Sequence, residues 1–571
     1  MRVAEQVRAQ VRVGSALRAR MRRLGWLRNP WVWLTVVIGG LILLLSVAGL
    51  TNRLDPDEGA FLAIAQEILH GRVPYRDAFD QKSPAIYYLV ASVLALGGGL
   101  GPLQQVLAMR GVALLTDFIA AVGLFLLGRR WWRTEVGILA ALLWLMGLAL
   151  YGGDQFFTEP FATSLTIWAV VTAAWRPGIR GTLLAGCLLA LGTLFKQTAV
   201  LALPGVAFVL CTRNQGGGQW GWCPPRSALA AVGAVLVGFV APWFAVGAAF
   251  ATAGAFGPML DQVIVSNLTR YPADPLRVLL TLIAVGLNRY LLVWVVAAVV
   301  AFVGLGRSLL PRGGRGSVPS VGALVAGGLA ALNLVPFKSH AYPHYWLQVL
   351  PWAALLAAMG LLVGLELLRP APEGSLADAG YGVTAARVLP LVLVGMVILS
   401  SGRVYPSLQI RTNGTGLQAQ VNGGRWIAAS TPPGARVLVA PAQPEFYYLS
   451  GRMAVTSYVY LLPINISDAL VAQVTDDVLA VHFDAIVWAG GPPDRSLAPV
   501  YQALLLRYHP TGSDPELGLQ MYVPNTASFV PAAAHAPPQP PRRLPHAPSD
   551  TAFCPPGFAL PRVSRLNFVF V

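Results

Sequence analysis

Long apolar runs recur through the first 400 or so residues, and short polar or glycine-rich stretches separate them. A helix of roughly 20 apolar residues crosses a bilayer, and many of these runs approach that length. The pattern therefore predicts an α-helical polytopic membrane protein with about eleven transmembrane helices. The predicted spans are 31–50, 106–127, 136–150, 161–174, 182–194, 199–211, 228–250, 290–305, 321–335, 342–362 and 389–399.

Two shorter segments, 57–69 and 85–96, are predicted to be helices that lie along the outer membrane face. In 57–69 the apolar side chains recur at helical spacing on one face, with Glu58 and Gln66 away from it. Segment 85–96 is too short for an ordinary span. If it crossed as well as 106–127, the arginines at 129–133 would lie outside, against the positive-inside rule.

The pattern changes beyond residue 402. Short strand-like and helix-like runs alternate between about 421 and 524, which predicts a small soluble α/β domain outside the membrane. Residues 525–571 are rich in Pro, Ala and Arg and are predicted to be disordered. The predicted division is thus a basic cytoplasmic N-terminus (1–30), a membrane domain (31–402), the α/β domain and the tail.

Composition supports a membrane protein and excludes a nucleic-acid role. Hydrophobic residues make up 55% of the 571, and the mean hydropathy is +0.60. The net charge of +16 comes from arginines that flank the apolar runs, as cytoplasmic loops require. We therefore predict a multi-pass protein of the cell membrane, with the lipid bilayer as a partner, a cytoplasmic N-terminus and an extracytoplasmic C-terminal domain.

Charged residues concentrate between Thr51 and Pro84, directly after the first predicted span. Only 12% of the chain is charged, yet this stretch holds six carboxylates and four Lys or Arg residues. The chain has three lysines, at 82, 196 and 338, and all fall on the predicted outer side. Charges against a bilayer are costly unless they have a function. We therefore interpret this stretch as half of an active site at the membrane face. An ordinary solvated loop is the alternative.

Five short motifs follow one another on the predicted outer side. They are DE at 57–58 with AQEI at 65–68, QKSPAIYY at 81–88, TEP at 158–160, LFKQ at 194–197 and HYWLQVLP at 344–351. Together they resemble the bacterial membrane glycosyltransferases of the GT-C fold, including the protein O-mannosyltransferases and the aminoarabinose transferases that modify lipid A. The resemblance covers the chain to about residue 365.

The resemblance implies transfer of a sugar from a polyprenyl-phosphate donor to an acceptor glycan, lipid or exported protein at the outer face. An attacking hydroxyl needs a carboxylate within hydrogen-bond reach to take its proton. Asp57 is the first choice for this catalytic role, followed by Glu58 and Glu159. Asp57 also begins a helical pattern, so a helix N-cap is the alternative for it.

A leaving lipid phosphate needs fixed cations near the membrane surface. The predicted phosphate-binding residues are Lys82, Lys196, Arg270 and Lys338, with interfacial snorkelling of long side chains as the alternative. The predicted substrate-binding residues are Asp80, Gln81, Tyr88, Asp154, Gln155, His340 and His344. The alternatives are the end of a helix for Asp154 and Gln155, plain hydrogen bonding at the interface for His340 and His344, and an aromatic belt for Tyr88.

One departure from the family motif bears on a cofactor. Where the family has Glu before the lysine, this chain has Gln81, with Asp80 beside it. In some members that Glu holds a metal with a later His, and here no histidine occurs between His70 and His340. The resemblance leaves a divalent metal as an option, and the sequence requires none.

Two other kinds of protein fit part of the pattern. A polytopic transporter also has many spans with charges at their edges, but transporters tend to show paired repeats and broken helices near the midplane. A non-catalytic polysaccharide-assembly protein has little use for acids and lysines gathered on one side. The sequence favours the glycosyltransferase over both.

Overall fold

The computed structural model describes residues 49–151, 155–175, 178–216, 219–269, 321–335, 342–367, 416–461, 467–491 and 495–525, together with residues 153, 276 and 493. The predicted span 31–50, apart from its last two residues, and the predicted spans 290–305 and 389–399 lie outside the described residues. So do the N-terminal segment 1–30 and the tail from 526 onward.

Helices occupy both predicted outer-face segments and eight of the predicted spans. In chain order, the elements up to residue 367 are α1 (Pro56–Leu69), α2 (Ala85–Leu96), α3 (Pro102–Trp131), α4 (Thr134–Tyr151), α5 (Thr158–Trp175), α6 (Ile179–Phe195), a 3-10 segment (Gln197–Ala202), α7 (Leu203–Leu210), β1 (Thr212–Gly216), β2 (Gln219–Trp222), α8 (Pro225–Thr252), α9 (Phe256–Leu260), a π-helical turn (Asp261–Val265), α10 (Ser266–Thr269), α11 (Val321–Leu332), a 3-10 turn (Pro343–Tyr345) and α12 (Trp346–Leu367). The short hairpin of β1 and β2 was not predicted.

Two of these helices, α3 and α8, are long and apolar enough to cross a bilayer by length and composition alone. The other apolar helical segments in the described part of the chain are 10–17 residues long. Helix α2 has 12 residues, or about 18 Å at 1.5 Å per residue, which is shorter than the hydrocarbon core. The count of about eleven spans stays a prediction.

Glycines allow α6 and α8 to pack at close range. A Cβ atom added at Gly186 would lie 2.1 Å from the carbonyl oxygen of Val235, and one added at Gly238 would lie 2.2 Å from that of Leu183. Any side chain at either position would force the two backbones apart. Close approach of small residues is a common way for helices to associate in membranes, where apolar burial alone gives little driving force. The packing fixes α6, whose last residue precedes Lys196.

The C-terminal region forms an α/β unit that occupies nearly the range predicted for one. They are α13 (Leu417–Ser430), β3 (Val437–Ala440), α14 (Glu445–Ser450), α15 (Asp468–Leu479), β4 (Ala485–Ala489), α16 (Ala498–Arg507), β5 (Tyr508–Asp514) and β6 (Leu519–Pro524). The strand order is β3-β4-β6-β5, with β3 and β4 parallel and the other neighbours antiparallel. Strand β5 is mostly exposed and lacks an apolar alternation, which explains why the pattern missed it.

Helix α1 is almost wholly buried, including Glu58, which the sequence pattern places away from the apolar face. Residues 58–65 and Glu67 are all buried. The reason is that α2 and α14 both pack against α1. At Gly59 an added Cβ atom would lie 2.6 Å from the backbone nitrogen of Glu445. The sequence pattern of α1 shows its apolar face but not the distant helix that covers the rest.

The C-terminal unit shares a hydrophobic core with α1 and α2. This core includes Phe61 of α1, Tyr87 of α2 and Phe446 of α14. The backbone N–H of Leu417 also donates to the carbonyl of Thr51 at 2.9 Å. The start of α1 is therefore held both by the membrane helices and by the C-terminal unit.

Candidate active site

The first turn of α1 presents Asp57. The carboxylate of Asp55 accepts the backbone N–H of Asp57 at 2.9 Å, and the N–H of Asp55 donates to Glu58 at 3.0 Å, which together make a capping box. The N-cap is therefore Asp55, and the alternative of a capping role for Asp57 is wrong. The Asp57 carboxylate instead faces the Lys82 ammonium, with Oδ2 and Nζ 2.7 Å apart.

Glu58 is locked beside the site, which argues against the catalytic role predicted for it. Its side chain is fully buried and makes two bonds with Arg110 of α3, at 3.0 Å (Nε–Oε1) and 2.6 Å (Nη2–Oε2). The backbone N–H of Phe156 and the amide of Gln155 also donate to it, at 3.1 and 3.3 Å. Both oxygens of Glu58 are held by fixed donors, whereas a general base needs an oxygen that can reach the acceptor. Glu58 and Gln155 thus secure the start of α1.

The loop before α2 holds Lys82 by its backbone. The carbonyl of Gln81 accepts from the amides of Gln197 and Asn267, each at 2.9 Å. The carbonyl of Lys82 accepts from the hydroxyl of Tyr75 at 2.8 Å. These contacts fix the point from which the Lys82 side chain leaves the loop.

Asp80 is buried inside the same loop. Its Oδ1 accepts the backbone N–H groups of Gln81 at 2.6 Å and Lys82 at 3.2 Å, and its own N–H donates to Gln262 at 3.1 Å. Burial raises the pKa of Asp80 to about 6, and the nearby Lys82 ammonium limits that rise. The predicted substrate-binding residues Asp80 and Gln81 therefore shape the loop that carries Lys82.

Lys82 keeps its charge despite being largely buried. Burial by itself would lower its pKa, but the carboxylates of Asp57 and Glu159 together with the Tyr345 and Tyr460 hydroxyls outweigh that effect and hold the pKa well above its ordinary value. The side chain of Lys82 is 17% exposed and that of Asp57 is 16% exposed. An ammonium group is thus fixed, charged and still reachable.

A second acid–lysine pair connects the start of α5 with the end of α6. Glu159, at the start of α5, forms an ion pair with Lys196, which directly follows α6. The ammonium of Lys196 also lies 3.9 Å from the ring centre of Tyr345, a cation–π contact. His344 Nε2 lies 3.7 Å from Glu159 Oε1.

The ring of His344 is fixed by stacking. Phe157 stacks on it at 4.4 Å between ring centres, and Tyr342 does so at 5.6 Å. The imidazole is therefore held in one orientation beside Glu159.

The two pairs form one cluster. Lys82 interacts electrostatically with Glu159 as well as with Asp57, and Lys196 interacts with Asp57 and Lys82. The structure thus brings together acids, ammonium groups and a histidine that the motifs place far apart along the chain. We call Asp57, Lys82, Glu159, Lys196 and His344 the acid–lysine cluster.

The remaining predicted residues divide into two groups. Tyr88 is 43% exposed and packs against Phe250, while its neighbour Tyr87 is the one buried near Asp80. Tyr88 is thus not among the buried members of the site. The predicted residues outside the described part of the chain are Asp154, Arg270, Lys338 and His340.

Sequence reasoning missed Arg110, Tyr345 and Asp55 as parts of the site. A signal existed for Arg110, because a charged side chain within an apolar span is expensive and normally has a buried partner. Tyr345 lies within the HYW motif, next to the predicted His344. Asp55 precedes a proline at the start of a helical pattern, which is a usual N-cap signal.

No group of three His, Cys, Asp or Glu side chains comes together at metal-binding distances within the described residues. Each carboxylate of the acid–lysine cluster has a lysine as its close partner. Histidine contributes one ring at that place, His344. The residues described do not by themselves make a metal site, and the sequence made no prediction of one.

Comparison with known proteins bears on this cluster. Residues 81–244 match a family model described as dolichyl-phosphate-mannose-protein mannosyltransferase, and this range includes Lys82, Glu159 and Lys196. ArnT from Cupriavidus metallidurans bound to undecaprenyl phosphate has a similar structure, with a TM-score of 0.56 and 17% identity, over 86% of this chain and 98% of ArnT. The chain thus has the fold of ArnT, and residues 81–244 are similar to a mannosyltransferase family.

Other GT-C structures are also similar. The apo form of the same ArnT gives a TM-score of 0.56 at 16% identity, over 86% of this chain and 97% of ArnT. An oligosaccharyltransferase from Archaeoglobus fulgidus in the apo form gives 0.46 at 12% identity, over 80% of this chain and 70% of that one. Comparison by sequence with curated proteins finds no match. GT-C homologues are multi-pass membrane proteins, which agrees with the apolar helices described above.

Proposed function

We propose that this protein is a GT-C glycosyltransferase, which moves a sugar from a polyprenyl-phosphate-linked donor to a hydroxyl or amine acceptor on the extracytoplasmic face. The acceptor belongs to a lipid, a cell-wall polymer or an exported protein. The observation that carries the proposal is the acid–lysine cluster, because it holds two ammonium groups and two carboxylates in one largely buried place. A base and an anion-binding pair are what glycosyl transfer from a phosphate ester needs.

Lys82 and Lys196 are proposed to bind the donor phosphate. Each ammonium is now paired with a carboxylate, and a phosphate brings enough negative charge to compete for both. The loop around Lys82 and the ring of Tyr345 keep the two groups in place before the donor arrives, so little reorganisation is needed. The binding of undecaprenyl phosphate by ArnT, which has a similar structure, supports a lipid phosphate as the ligand.

Asp57 is proposed as the general base. When the donor phosphate draws the Lys82 ammonium to itself, the Asp57 carboxylate is released to accept a hydrogen bond from the acceptor. The acceptor oxygen or nitrogen attacks the anomeric carbon of the sugar and its proton passes to Asp57. The bond from that carbon to the phosphate oxygen breaks, and the electron pair leaves with the lipid phosphate, which Lys82 and Lys196 stabilise.

Glu159 is proposed mainly to hold Lys196 in place. Its carboxylate lies between the Lys196 ammonium and the His344 ring, and its side chain is 1% exposed. Asp57 is the more exposed of the two acids, which favours it as the group that meets the acceptor. Glu159 remains the second choice for the base.

The proposal is tested by Asp57→Asn in purified membranes supplied with radiolabelled polyprenyl-phosphate sugars. We expect transfer to fall about 10²- to 10⁴-fold, the usual contribution of a general base. Asp77→Asn is the matched control, because Asp77 pairs with Arg76 on the same loop, outside the cluster, and this variant should retain transfer.

Two results would count against the proposal. Unchanged transfer by the Asp57→Asn protein would exclude Asp57 as the base and move that role to Glu159. An absence of transfer by the wild-type protein with every lipid-phosphate sugar offered would contradict the donor class itself.

A further inference from the structure

The C-terminal unit reaches the loop that carries Lys82. The N–H of Phe79 donates to the carbonyl of Ser457, and Phe79 and Tyr458 form an isolated parallel bridge. Directly after this bridge, the hydroxyl of Tyr460 lies 3.4 Å from Oδ1 of Asp80, across a sequence separation of 380 residues. A segment of the C-terminal unit thus runs alongside the loop that was assigned to the site.

Asp80 connects the hydroxyl of Tyr460 to the backbone of Lys82. Its Oδ1 accepts two successive backbone N–H groups, those of Gln81 and Lys82. The orientation of this carboxylate therefore sets the direction in which the Lys82 side chain leaves the loop. Tyr460 also lies close enough to Lys82 to interact with it electrostatically.

We propose that Tyr460 is a positioning residue of the active site, whose hydroxyl orients the Asp80 carboxylate and thereby places the Lys82 ammonium against Asp57. The effect on catalysis rests on the proposed function, and it gives the C-terminal unit a part in the chemistry. The acceptor is a buried carboxylate, and at 3.4 Å the hydrogen bond is a long one. The unit therefore completes the active site rather than only covering it.

Tyr458 provides a matched control. It lies two residues before Tyr460 on the same segment and is buried in the same way, at 2% exposure against 8%. Its hydroxyl donates to Asp477 at 2.9 Å, inside the C-terminal unit. Substitution of either tyrosine by phenylalanine removes one buried hydroxyl and keeps the ring, but only one of the two hydroxyls reaches the loop.

In the kinetic test, Tyr460→Phe and Tyr458→Phe are compared with the wild-type protein in the full chain. Loss of a hydrogen bond to a charged group predicts that kcat falls about tenfold for Tyr460→Phe. The KM for the acceptor should change less than about twofold, since the acceptor does not contact Tyr460 in this scheme. Tyr458→Phe should stay within about twofold of the wild type in both constants.

A double-mutant cycle with Asp80→Asn separates positioning from packing. If the hydroxyl acts through the Asp80 carboxylate, Tyr460→Phe should have little further effect once that charge is gone. Additive effects of the two substitutions, or a kcat of Tyr460→Phe equal to that of Tyr458→Phe, would overturn the proposal.

A chemical-labelling test does not depend on activity. The chain has three lysines, so acetylation at each can be followed separately by mass spectrometry. We expect Tyr460→Phe to raise the rate at Lys82 relative to Lys196 several-fold, because the loop no longer holds the ammonium against Asp57, and Tyr458→Phe to leave this ratio unchanged. An unchanged ratio in Tyr460→Phe would overturn the positioning role. If the wild-type protein transfers no sugar, the proposed function fails, and this ratio still decides the role of Tyr460.

Discussion

Each lysine of the site is paired with a carboxylate from another element. Asp57 on α1 faces Lys82 on the following loop, and Glu159 on α5 faces Lys196 after α6. Burying a charge is costly unless a partner and further hydrogen bonds compensate for it. The pairs therefore keep four charges close together until an anionic ligand competes for the lysines.

A different ion pair, outside the acid–lysine cluster, stabilises the fold. Arg110 and Glu58 are both fully buried, and Arg110 also donates to the backbone carbonyls of residues 50, 52 and 53. This network ties α3 to the entrance of α1. The network fixes the first turn of α1 and therefore the position of Asp57.

We predict that Arg110→Met lowers the free energy of unfolding by about 3–5 kcal/mol, because it leaves the Glu58 charge buried without its partner. Thermal unfolding in detergent would measure the change. Arg133→Met is the control, since the Arg133–Glu135 pair is half-exposed and such pairs contribute about 0–1 kcal/mol. Equal effects of the two substitutions would contradict a stabilising role for the buried pair.

Several site residues lie at the ends of helices. Asp57 lies in the first turn of α1, Glu159 in the first turn of α5, and Lys196 follows the last turn of α6. Helix ends carry unpaired backbone groups and bring side chains to a common rim. The packing of α1 against its neighbours therefore decides where the first of these ends lies.

We predict that Gly59→Ala loosens the contact between α1 and α14 and lowers the free energy of unfolding by about 1–3 kcal/mol, as overpacked cores do. The added methyl group would lie 2.6 Å from the backbone nitrogen of Glu445, and backbone cannot move aside as a flexible side chain can. Limited proteolysis of the C-terminal unit should be faster if the contact is loosened, and the melting temperature of the variant should be lower.

Gly111→Ala provides the control for this substitution. Gly111 lies within α3, and an added Cβ atom there meets nothing within 4 Å. Alanine at such a position should be neutral or stabilise by up to about 1 kcal/mol. Similar losses at both glycines would mean that helix α14 does not constrain α1.

At the scale of the whole molecule, the C-terminal unit and the acid–lysine cluster lie on one side. The unit packs on α1, and α1 carries Asp57. The predicted cytoplasmic loops, rich in arginine, connect the other ends of the helices. The orientation of the C-terminal unit therefore gives the orientation of the proposed active site.

We predict that a cysteine at position 516 is labelled by a membrane-impermeant maleimide in intact cells, and that one at 226 is labelled only after permeabilisation. Both positions are exposed, Glu516 in the C-terminal unit and Arg226 in the first turn of α8, at its predicted cytoplasmic end. The variants Glu516→Cys and Arg226→Cys are made without the four natural cysteines. The reverse labelling would place the site on the cytoplasmic face and contradict the proposed sidedness.

The sequence by itself determined most of the helices and the chemical types in the site. Helices α1 and α2 were predicted within a residue of their observed bounds, because apolar periodicity and turn residues are local signals. The motifs also pointed to Asp57, Lys82, Glu159, Lys196 and His344, because charged groups at the edges of apolar runs are rare and costly.

Only the tertiary structure decided which of these residues act together and which hold the fold. Nothing local distinguishes Asp57 from Glu58: the difference is that Arg110, 52 residues away in sequence, neutralises Glu58 and leaves Asp57 to Lys82. The contact of Tyr460 with Asp80 spans 380 residues. Such pairings depend on how distant elements pack, and one sequence records the periodicity of each element but not its partners.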